Sequence, residues 1–446
     1  MRRQTENVLV IFGFSGERSA KRTVKRNIAN EKIIHIIFLV LTIFSVLHNT
    51  KKIKRSKKVI SKKIIRAIES SSWIRKMFEE AEDLKKEKEI FDFSLGNPDI
   101  EPPDKLKEII VQVIKKPGIH RYMSNAGFYE TRKAVASYLK EERGHRFSAD
   151  DIIMTVGAGG GLNVVFKTIL DPGEEVIFPK PYFVEYEYYV SNHGGIAKKV
   201  KTKEDFSLDI EAIDAAITSN TKAVLINSPN NPTGRVYREK EIKELAELLN
   251  YYSKKFGKPI YLVSDEPYRK ITYGVSVPDV FRYYKESILV TSFSKDLSIP
   301  GERIGYIAVH PDIYEKDLLI SGLVLSNRIL GYVNAPSLMQ VIIPYLLREK
   351  SPVIRYRKRR DMLCSALESF GYELIWPDGA FYVFPKSPIE DDRRFVSILK
   401  EENIIVVPGS GFGTSGYFRI AFCISEDKIE RSLLGFKNAI KKAKGA

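Results

Sequence analysis

Residues 291–306 read T-S-F-S-K-D-L-S-I-P-G-E-R-I-G-Y, and they decide how the rest of the sequence is interpreted. A short apolar run at residues 288–290, typical of a buried β-strand, comes directly before them. Lys295 therefore lies just beyond a predicted strand end, with Ser292 before it and Arg303 after it. The stretch places a lysine close to two side chains that can bind an anion.

The position of Lys295 indicates its chemistry. Burial disfavours an ammonium group, so the pKa of a lysine at a buried strand end falls and the side chain can act as an amine. Such an amine forms a Schiff base with an aldehyde, while the Ser292 hydroxyl and the Arg303 guanidinium suit a phosphate dianion. Together these groups indicate pyridoxal phosphate. The alternative is a solvated loop lysine, and this stretch alone does not decide between the two.

The middle of the chain alternates strands with helices, which is typical of an α/β fold with a mostly parallel sheet. Strands, each followed by a polar loop, are predicted at residues 222–226, 260–263 and 288–290. The loops contain, in this order, Asn231, Asp265 and Lys295. Because ligands bind beyond the carboxyl ends of parallel strands, we expect these three side chains to converge.

A glycine-rich turn gives a second indication of an anion site. A strand predicted at 152–156 runs into G-A-G-G-G at 157–161, and a helix is predicted over 162–170. Strand, glycine turn and helix in this order direct backbone N–H groups and the helix dipole at an anion. Many glycine runs are only tight turns, so this pattern is supporting evidence.

Three regions are predicted. Residues 1–58 form a basic and apolar extension that we do not expect to belong to the core fold, and residues 104–349 form a large domain. Residues 59–103 together with 350–446 are expected to form a smaller α+β domain from both chain ends. Within that domain we predict a helix over 65–84, a strand and turn over 91–100, a helix over 355–371, and strands at 379–384 and 417–422.

Charge and composition restrict the possible partners. The net charge is +16, but residues 1–63 hold 16 basic and three acidic residues, so the remainder carries only +3 and nucleic acid is an unlikely partner. The chain has two cysteines, and its six histidines show no metal-ligand spacing, so we expect a cytoplasmic protein without a disulfide framework or a metal.

The extension contains an apolar run at residues 33–47. Fifteen residues are short for a membrane span, which needs about 20, and no small-residue cleavage site follows them. The segment is an uncleaved anchor, a loosely held tail, or translated sequence upstream of the true start. Because the body has the composition of a cytosolic enzyme, membrane association is not favoured.

Four motifs in register resemble the class I/II aminotransferases, which are fold-type-I pyridoxal-phosphate enzymes. They are N-S-P-N-N-P-T-G at 227–234, S-D-E-P-Y at 264–268, S-F-S-K…G-E-R-I-G-Y at 292–306 and F-R-I-A-F at 418–422. The resemblance covers roughly residues 59–446. It implies pyridoxal 5'-phosphate as cofactor and transfer of an amino group from an L-amino acid to a 2-oxo acid in ping-pong order.

The resemblance also implies roles for individual residues. Lys295 would hold the cofactor and shuttle a proton, Asp265 would bind the pyridine nitrogen, and Tyr268 with Asn231 would bind the phenolic oxygen. Phe183 would stack on the ring. The phosphate would be held by Ala158, Gly159, Ser292 and Arg303. The substrate carboxylate would be bound by Arg419 with Asn231, close to Gly96.

Tyr122 matches a tyrosine that reaches the neighbouring subunit's phosphate in this family, which implies a homodimer. Each residue has a simpler interpretation in isolation: Asp265 as a helix cap, Arg419 as a surface arginine, Phe183 as core and Tyr122 as a loop residue. Their register with Lys295 favours the site.

Two rival functions and one open residue remain. A decarboxylase or β-lyase would use the same cofactor and fold. A cofactor-sensing regulatory protein would use the basic extension to bind nucleic acid or an anionic membrane. Residues 1–58 show no helix-turn-helix pattern, which disfavours the regulator. Arg328 could meet a distal substrate carboxylate, although an arginine there is more often at a surface or a subunit interface.

Overall fold

The computed structural model describes residues 59–68 and 88–445. The chain divides into two units, residues 1–80 and 81–446. In the first unit residues 62–68 are helical. Most of the helix predicted over 65–84, and the whole extension 1–58 with its apolar run, lie outside the described residues.

The second unit contains twelve strands and eleven helices of α type within the described residues. The strands are β1 (Phe91–Asp92), β2 (Ile152–Thr155), β3 (Glu175–Lys180), β4 (Ile196–Lys201), β5 (Thr221–Asn227), β6 (Tyr261–Asp265), β7 (Ser287–Ser292), β8 (Gly305–Val309), β9 (Tyr382–Val383), β10 (Ile404–Ile405), β11 (Val407–Pro408) and β12 (Phe418–Ala421). The helices are α1 (Asp104–Val113), α2 (Tyr129–Arg143), α3 (Gly157–Ile169), α4 (Glu185–Asn192), α5 (Ile210–Ala216), α6 (Glu239–Phe256), α7 (Lys316–Ile329), α8 (Ser337–Leu346), α9 (Val353–Ser369), α10 (Asp392–Glu401) and α11 (Glu426–Lys444).

A seven-stranded sheet forms the centre of this unit, in the order β2-β8-β7-β6-β5-β3-β4. Only β8 runs antiparallel to its neighbours, and the pairs β7–β6, β6–β5, β5–β3 and β3–β4 are parallel. Helices pack against the sheet, as in other α/β proteins whose parallel strands are buried on both faces. The predicted α/β class with a mostly parallel sheet is confirmed.

The sequence explains why these elements form. The central strands are continuous apolar runs, and every residue of β6 is buried. In α6 the buried residues Ile242, Leu245, Ala246 and Leu249 follow the helical period. The helix ends at Gly257, whose φ of 65° suits glycine. These elements set the direction in which the strand ends present their loops.

Two smaller sheets bring the chain ends together. β1 pairs in parallel with β10, with Phe91 opposite Ile404, and β12 lies between β11 and β9 in an antiparallel sheet. The Ala421 N–H also donates to the Phe93 carbonyl at 2.9 Å. This is the connection that a smaller domain built from 59–103 and 350–446 requires, although its boundaries stay a prediction.

Several predicted boundaries are wrong. α3 begins at Gly157 rather than Leu162, because its glycines serve close packing: a Cβ on Gly161 would lie 2.7 Å from Val290 Cγ1 of β7. The strands predicted at 379–384 and 91–100 shorten to β9 and β1, since only these residues find ladder partners. No helix in the described part of the chain is long and apolar enough to cross a membrane.

Candidate active site

The carboxyl ends of β5, β6 and β7 form the floor of the candidate site. Asp265 is the last residue of β6, and its backbone carbonyl accepts a hydrogen bond from Asn227 Nδ2, at the end of β5, at 2.9 Å. Asn227 Oδ1 in turn accepts from the Asn231 N–H at 2.7 Å. The polar loops after neighbouring strands are thus tied together, which places Asn231 beside the β6 end as predicted.

Asp265 is a buried carboxyl with one unpaired oxygen. Its Oδ2 accepts a hydrogen bond from the Tyr186 hydroxyl at 2.5 Å, whereas its Oδ1 is buried and has no hydrogen-bond partner within the described residues. Burial raises the pKa of Asp265 to about 7; the Tyr186 hydrogen bond opposes this and the charge of Glu266 adds to it. The free oxygen is suited to a cationic or N–H donor that a ligand would bring.

Lys295 lies three residues beyond β7 and is half-buried. Its Nζ donates a hydrogen bond to the Gly96 carbonyl at 2.7 Å. Burial lowers the pKa of Lys295 to about 8, and the positive charges of Arg419 and Arg303 contribute to the decrease. Near neutral pH most of this side chain is still an ammonium, but its unprotonated fraction is far larger than that of an ordinary lysine, as the sequence predicts for a nucleophilic lysine.

Arg419 enters the site from β12. Its Nη1 donates to Asn231 Oδ1 at 3.0 Å, and its Nη2 donates to the Ser94 carbonyl. The guanidinium carbon lies 4.8 Å from the Tyr382 ring and 4.7 Å from the Phe412 ring. Asn231 and two aromatic rings fix the orientation of the guanidinium, which favours recognition of a planar carboxylate.

Two tyrosines meet beside Gly96: one comes from the loop after β6 and the other from β9. The hydroxyls of Tyr268 and Tyr382 are 2.9 Å apart. A Cβ on Gly96 would overlap the Tyr382 hydroxyl, so the position of Tyr382 requires a residue without a side chain at 96. The predicted residues Gly96 and Tyr268 therefore lie in the same site as Lys295.

The start of α3 forms an anion cradle next to this pocket. The N-cap residue Val156 provides no side-chain hydrogen bond to the first turn, so the N–H groups of that turn lack a side-chain cap. The Arg303 Nη2 lies 3.4 Å from the Val156 carbonyl. Ser292 is buried, and Gly305 pairs with Ser292 on one side and with Thr155 on the other.

The helix α4 covers the site with aromatic side chains. The Phe183 ring, just before α4, packs edge to face with Tyr186 at 5.6 Å between centroids. The Tyr189 hydroxyl approaches α3 so closely that a Cβ on Gly159 would lie 2.9 Å from it. The predicted residues Ala158, Gly159 and Phe183 thus border the same space.

Tyr122 is the predicted residue that a single chain does not bring to the site. It is 90% exposed and lies near Tyr332 and Asn334 at the protein surface. Arg328, on α7, is also exposed.

The sequence did not single out Tyr186, Tyr382 or Asn227, although Tyr186 follows Phe183 by three residues, the spacing of one helical face. Within the described residues, no group of three or more His, Cys, Asp or Glu side chains is placed to hold a metal ion.

The opposite pKa shifts of Asp265 and Lys295 predict how the stability of the ligand-free protein depends on pH. The pKa of Asp265 rises from 3.8 to about 7 on folding. Its favourable contribution to the free energy of unfolding is therefore fully present below pH 3.8 and is lost as the pH rises to about 7. The pKa of Lys295 falls from 10.5 to about 8 on folding. Its favourable contribution to the free energy of unfolding is therefore fully present above pH 10.5 and is lost as the pH falls through about 8.

Thermal denaturation of the wild type, Asp265→Asn and Lys295→Met across pH measures these contributions. We expect the melting temperature of Asp265→Asn, relative to wild type, to increase between about pH 4 and 7. That of Lys295→Met should increase as pH falls from about 10.5 to 8. Parallel curves for wild type and both variants would show that neither group titrates with a shifted pKa.

Known proteins resemble this chain in sequence and in fold. The family model for aminotransferase class I and II matches residues 88–434. The chain belongs to this family. It is 32% identical to a probable aspartate/prephenate aminotransferase of Aquifex aeolicus over 79% of the chain and 91% of that protein. It is 33% identical to the aspartate/prephenate aminotransferase of Thermus thermophilus over 78% and 90%.

Solved structures agree with the family assignment. An aminotransferase of Eubacterium rectale superposes with a TM-score of 0.80 at 38% identity, covering 83% of this chain and 95% of that one. The aspartate aminotransferase of Thermus thermophilus with maleate gives 0.75 at 30% identity, covering 81% and 95%. These relatives are aminotransferases rather than decarboxylases, β-lyases or regulators, so the predicted enzyme class, a fold-type-I aminotransferase, is confirmed.

Proposed function

We propose that this aminotransferase binds pyridoxal 5'-phosphate at Lys295 and moves an amino group from an L-amino acid to a 2-oxo acid. The observation that best supports the cofactor is the buried, unpaired Oδ1 of Asp265, which suits the protonated ring nitrogen. The Lys295 amine suits the aldehyde. The uncapped start of α3, with Arg303 and Ser292, suits the phosphate. The residues therefore fit each polar part of the group.

When bound, the cofactor supplies an electron-withdrawing ring that stabilises negative charge at the substrate Cα. Asp265 keeps the ring nitrogen protonated through the charge of its buried carboxylate, and Tyr186 holds that carboxylate in place. Tyr268 and Asn231 are proposed to bind the phenolic oxygen, and Phe183 to cover the ring face. Ala158 and Gly159 complete the phosphate site with their backbone N–H groups.

Lys295 is proposed to move the proton. Its Nζ can accept the proton from the substrate Cα and return one, because its pKa of about 8 is close to the working pH. Arg419 with Asn231 holds the substrate α-carboxylate, which keeps the Cα–H bond in reach of Lys295. The Gly96 carbonyl accepts a hydrogen bond from the Lys295 Nζ, and the missing side chain at position 96 leaves room for the Tyr382 hydroxyl.

The proposal is tested with the purified protein, an amino acid donor, and 2-oxoglutarate or pyruvate as acceptor. We expect a new 2-oxo acid to form from the donor in amounts equal to the amino acid formed from the acceptor. Neither carbon dioxide nor ammonia should accumulate. Dominant release of either product would instead indicate decarboxylation or β-elimination.

We also propose a homodimer. Tyr122 is almost fully exposed in one chain, as expected for a residue that completes the phosphate site of a partner subunit. Sedimentation as a species of two chains of 50.9 kDa is the expected result; a monomer with full activity would contradict the role of Tyr122.

Both cysteines are free and buried, which supports the expectation of a cytoplasmic protein.

The family does not fix the substrate, since the relatives are named for different ones: aspartate, aspartate/prephenate, N-acetyl-LL-diaminopimelate and aromatic amino acids. Arg328 lies exposed on α7, which favours its interpretation as a surface or interface residue over contact with a substrate carboxylate in the same chain.

A further inference from the structure

Glu185 is an acidic residue that the proposed chemistry does not use. It is the first residue of α4. Its Oε2 atom is buried and has no hydrogen-bond partner within the described residues. A buried carboxyl oxygen without a donor is unfavourable, and most such atoms in native proteins have a partner. An unpaired oxygen next to a substrate pocket is a candidate for pairing with the substrate.

Contacts on both sides place the start of α4 against the site. The Tyr182 N–H, three residues before Glu185, donates to the Phe412 carbonyl at 3.2 Å, and the Phe412 ring lies 4.7 Å from the Arg419 guanidinium carbon. One residue after Glu185, Tyr186 donates to Asp265. The segment that carries Glu185 is thus fixed between the arginine and the aspartate of the site.

Electrostatics agree with this position. Burial raises the pKa of Glu185, while the positive charge of Arg419 lowers it, so the two side chains are within electrostatic reach. Burial is the main cause of the raised pKa of Tyr382, and the negative charge of Glu185 makes a small further contribution; the Tyr382 ring lies 4.8 Å from the Arg419 guanidinium carbon. Glu185 therefore belongs to the end of the pocket where Arg419 is expected to hold the substrate.

We propose that Glu185 selects the substrate side chain, accepting a hydrogen bond from an amide, hydroxyl or ammonium group and disfavouring a second carboxylate. The inference rests on the proposed function, in which Arg419 binds the α-carboxylate. A side-chain carboxylate near Glu185 would place like charges together and leave Oε2 without a donor. A donor group of the same shape satisfies Oε2 and meets no repulsion. The preference is thus set by a group that rejects one class of substrate as well as attracting another.

The test compares two unreactive ligands of nearly equal shape, succinate and succinamate, which differ in one carboxylate replaced by an amide. Calorimetric titration of the holoenzyme should give a dissociation constant at least about tenfold lower for succinamate. In Glu185→Gln, whose amide can also donate, the ratio of the two constants should fall by about tenfold or invert.

Glu187→Gln is the matched control. Glu187 lies on the same helix and the variant loses the same charge, but the Glu187 carboxylate pairs with Lys199 at 3.1 Å and accepts a hydrogen bond from the Tyr182 hydroxyl. This variant should keep the wild-type ratio. An unchanged ratio in Glu185→Gln, or an equal change in Glu187→Gln, would overturn the role of Glu185.

Turnover separates this inference from the proposed function. With pyruvate as acceptor, wild type should use asparagine at least about tenfold better than aspartate, by kcat/KM, and Glu185→Gln should narrow that difference. Transamination with no change in preference would overturn the inference and leave the function standing. The expected ratio of dissociation constants without transamination of any amino acid would support Glu185 and refute the function.

Discussion

Lys295→Ala is expected to lose turnover by about 10⁴-fold, because the side chain is proposed both to bind the cofactor and to move the substrate Cα proton. The absorbance band of the purified protein should also shift to that of a cofactor without its lysine partner. Single-turnover absorbance after addition of an amino acid separates slow proton transfer from loss of the cofactor, since cofactor loss removes the band itself.

The control for this result is Lys198→Ala. Lys198 is also partly buried and is paired with Glu175 at 3.1 Å, but it lies on β4 at the edge of the sheet, so both activity and absorbance should stay as in wild type. A Lys295→Ala protein that retains turnover would contradict the assignment of the nucleophile. Equal losses in both variants would indicate a general effect of removing a lysine.

Asp265→Asn is expected to lower kcat by about 10²- to 10³-fold, since the variant keeps the shape of the side chain but removes the charge that holds the ring nitrogen protonated. Because Asp265 does not contact the substrate carboxylate in the proposal, KM should change much less than kcat. Steady-state kinetics of the cofactor-saturated variant measure both quantities.

The split between kcat and KM makes this prediction specific. A structural role for Asp265 would lower the melting temperature and the amount of active enzyme while leaving kcat per bound cofactor unchanged. Asp205→Asn, which removes a carboxylate that hydrogen-bonds Ser207 and pairs with Arg235 at the surface, should leave both kinetic constants unchanged. Wild-type kcat in Asp265→Asn would show that the ring nitrogen does not need the charge.

The sequence predicts the convergence of the strand-end residues because a parallel sheet brings carboxyl ends to one edge whatever the loops contain. Asn231, Asp265 and Lys295 each follow a strand whose apolar run is evident, and the structure places them at that edge. Gly96 and Arg419 come from the chain ends, and only the family resemblance indicated that they would join the same site.

Other parts of the site depend on contacts that no local pattern reveals. Tyr186 and Glu185 look like ordinary helix residues in the sequence, and their function depends on how α4 packs over the sheet. The start of α3 was misplaced because glycine disfavours helices in isolation. In the structure, packing of Gly161 against Val290 of β7 outweighs that preference.

The close approach of Gly96 to the Tyr382 hydroxyl predicts how these two positions vary among related sequences. A side chain at position 96 requires the Tyr382 ring to move or to be replaced by a smaller side chain, so the two positions are expected to change together over evolutionary time. They lie 286 residues apart in the sequence, yet a change at one is expected to accompany a change at the other.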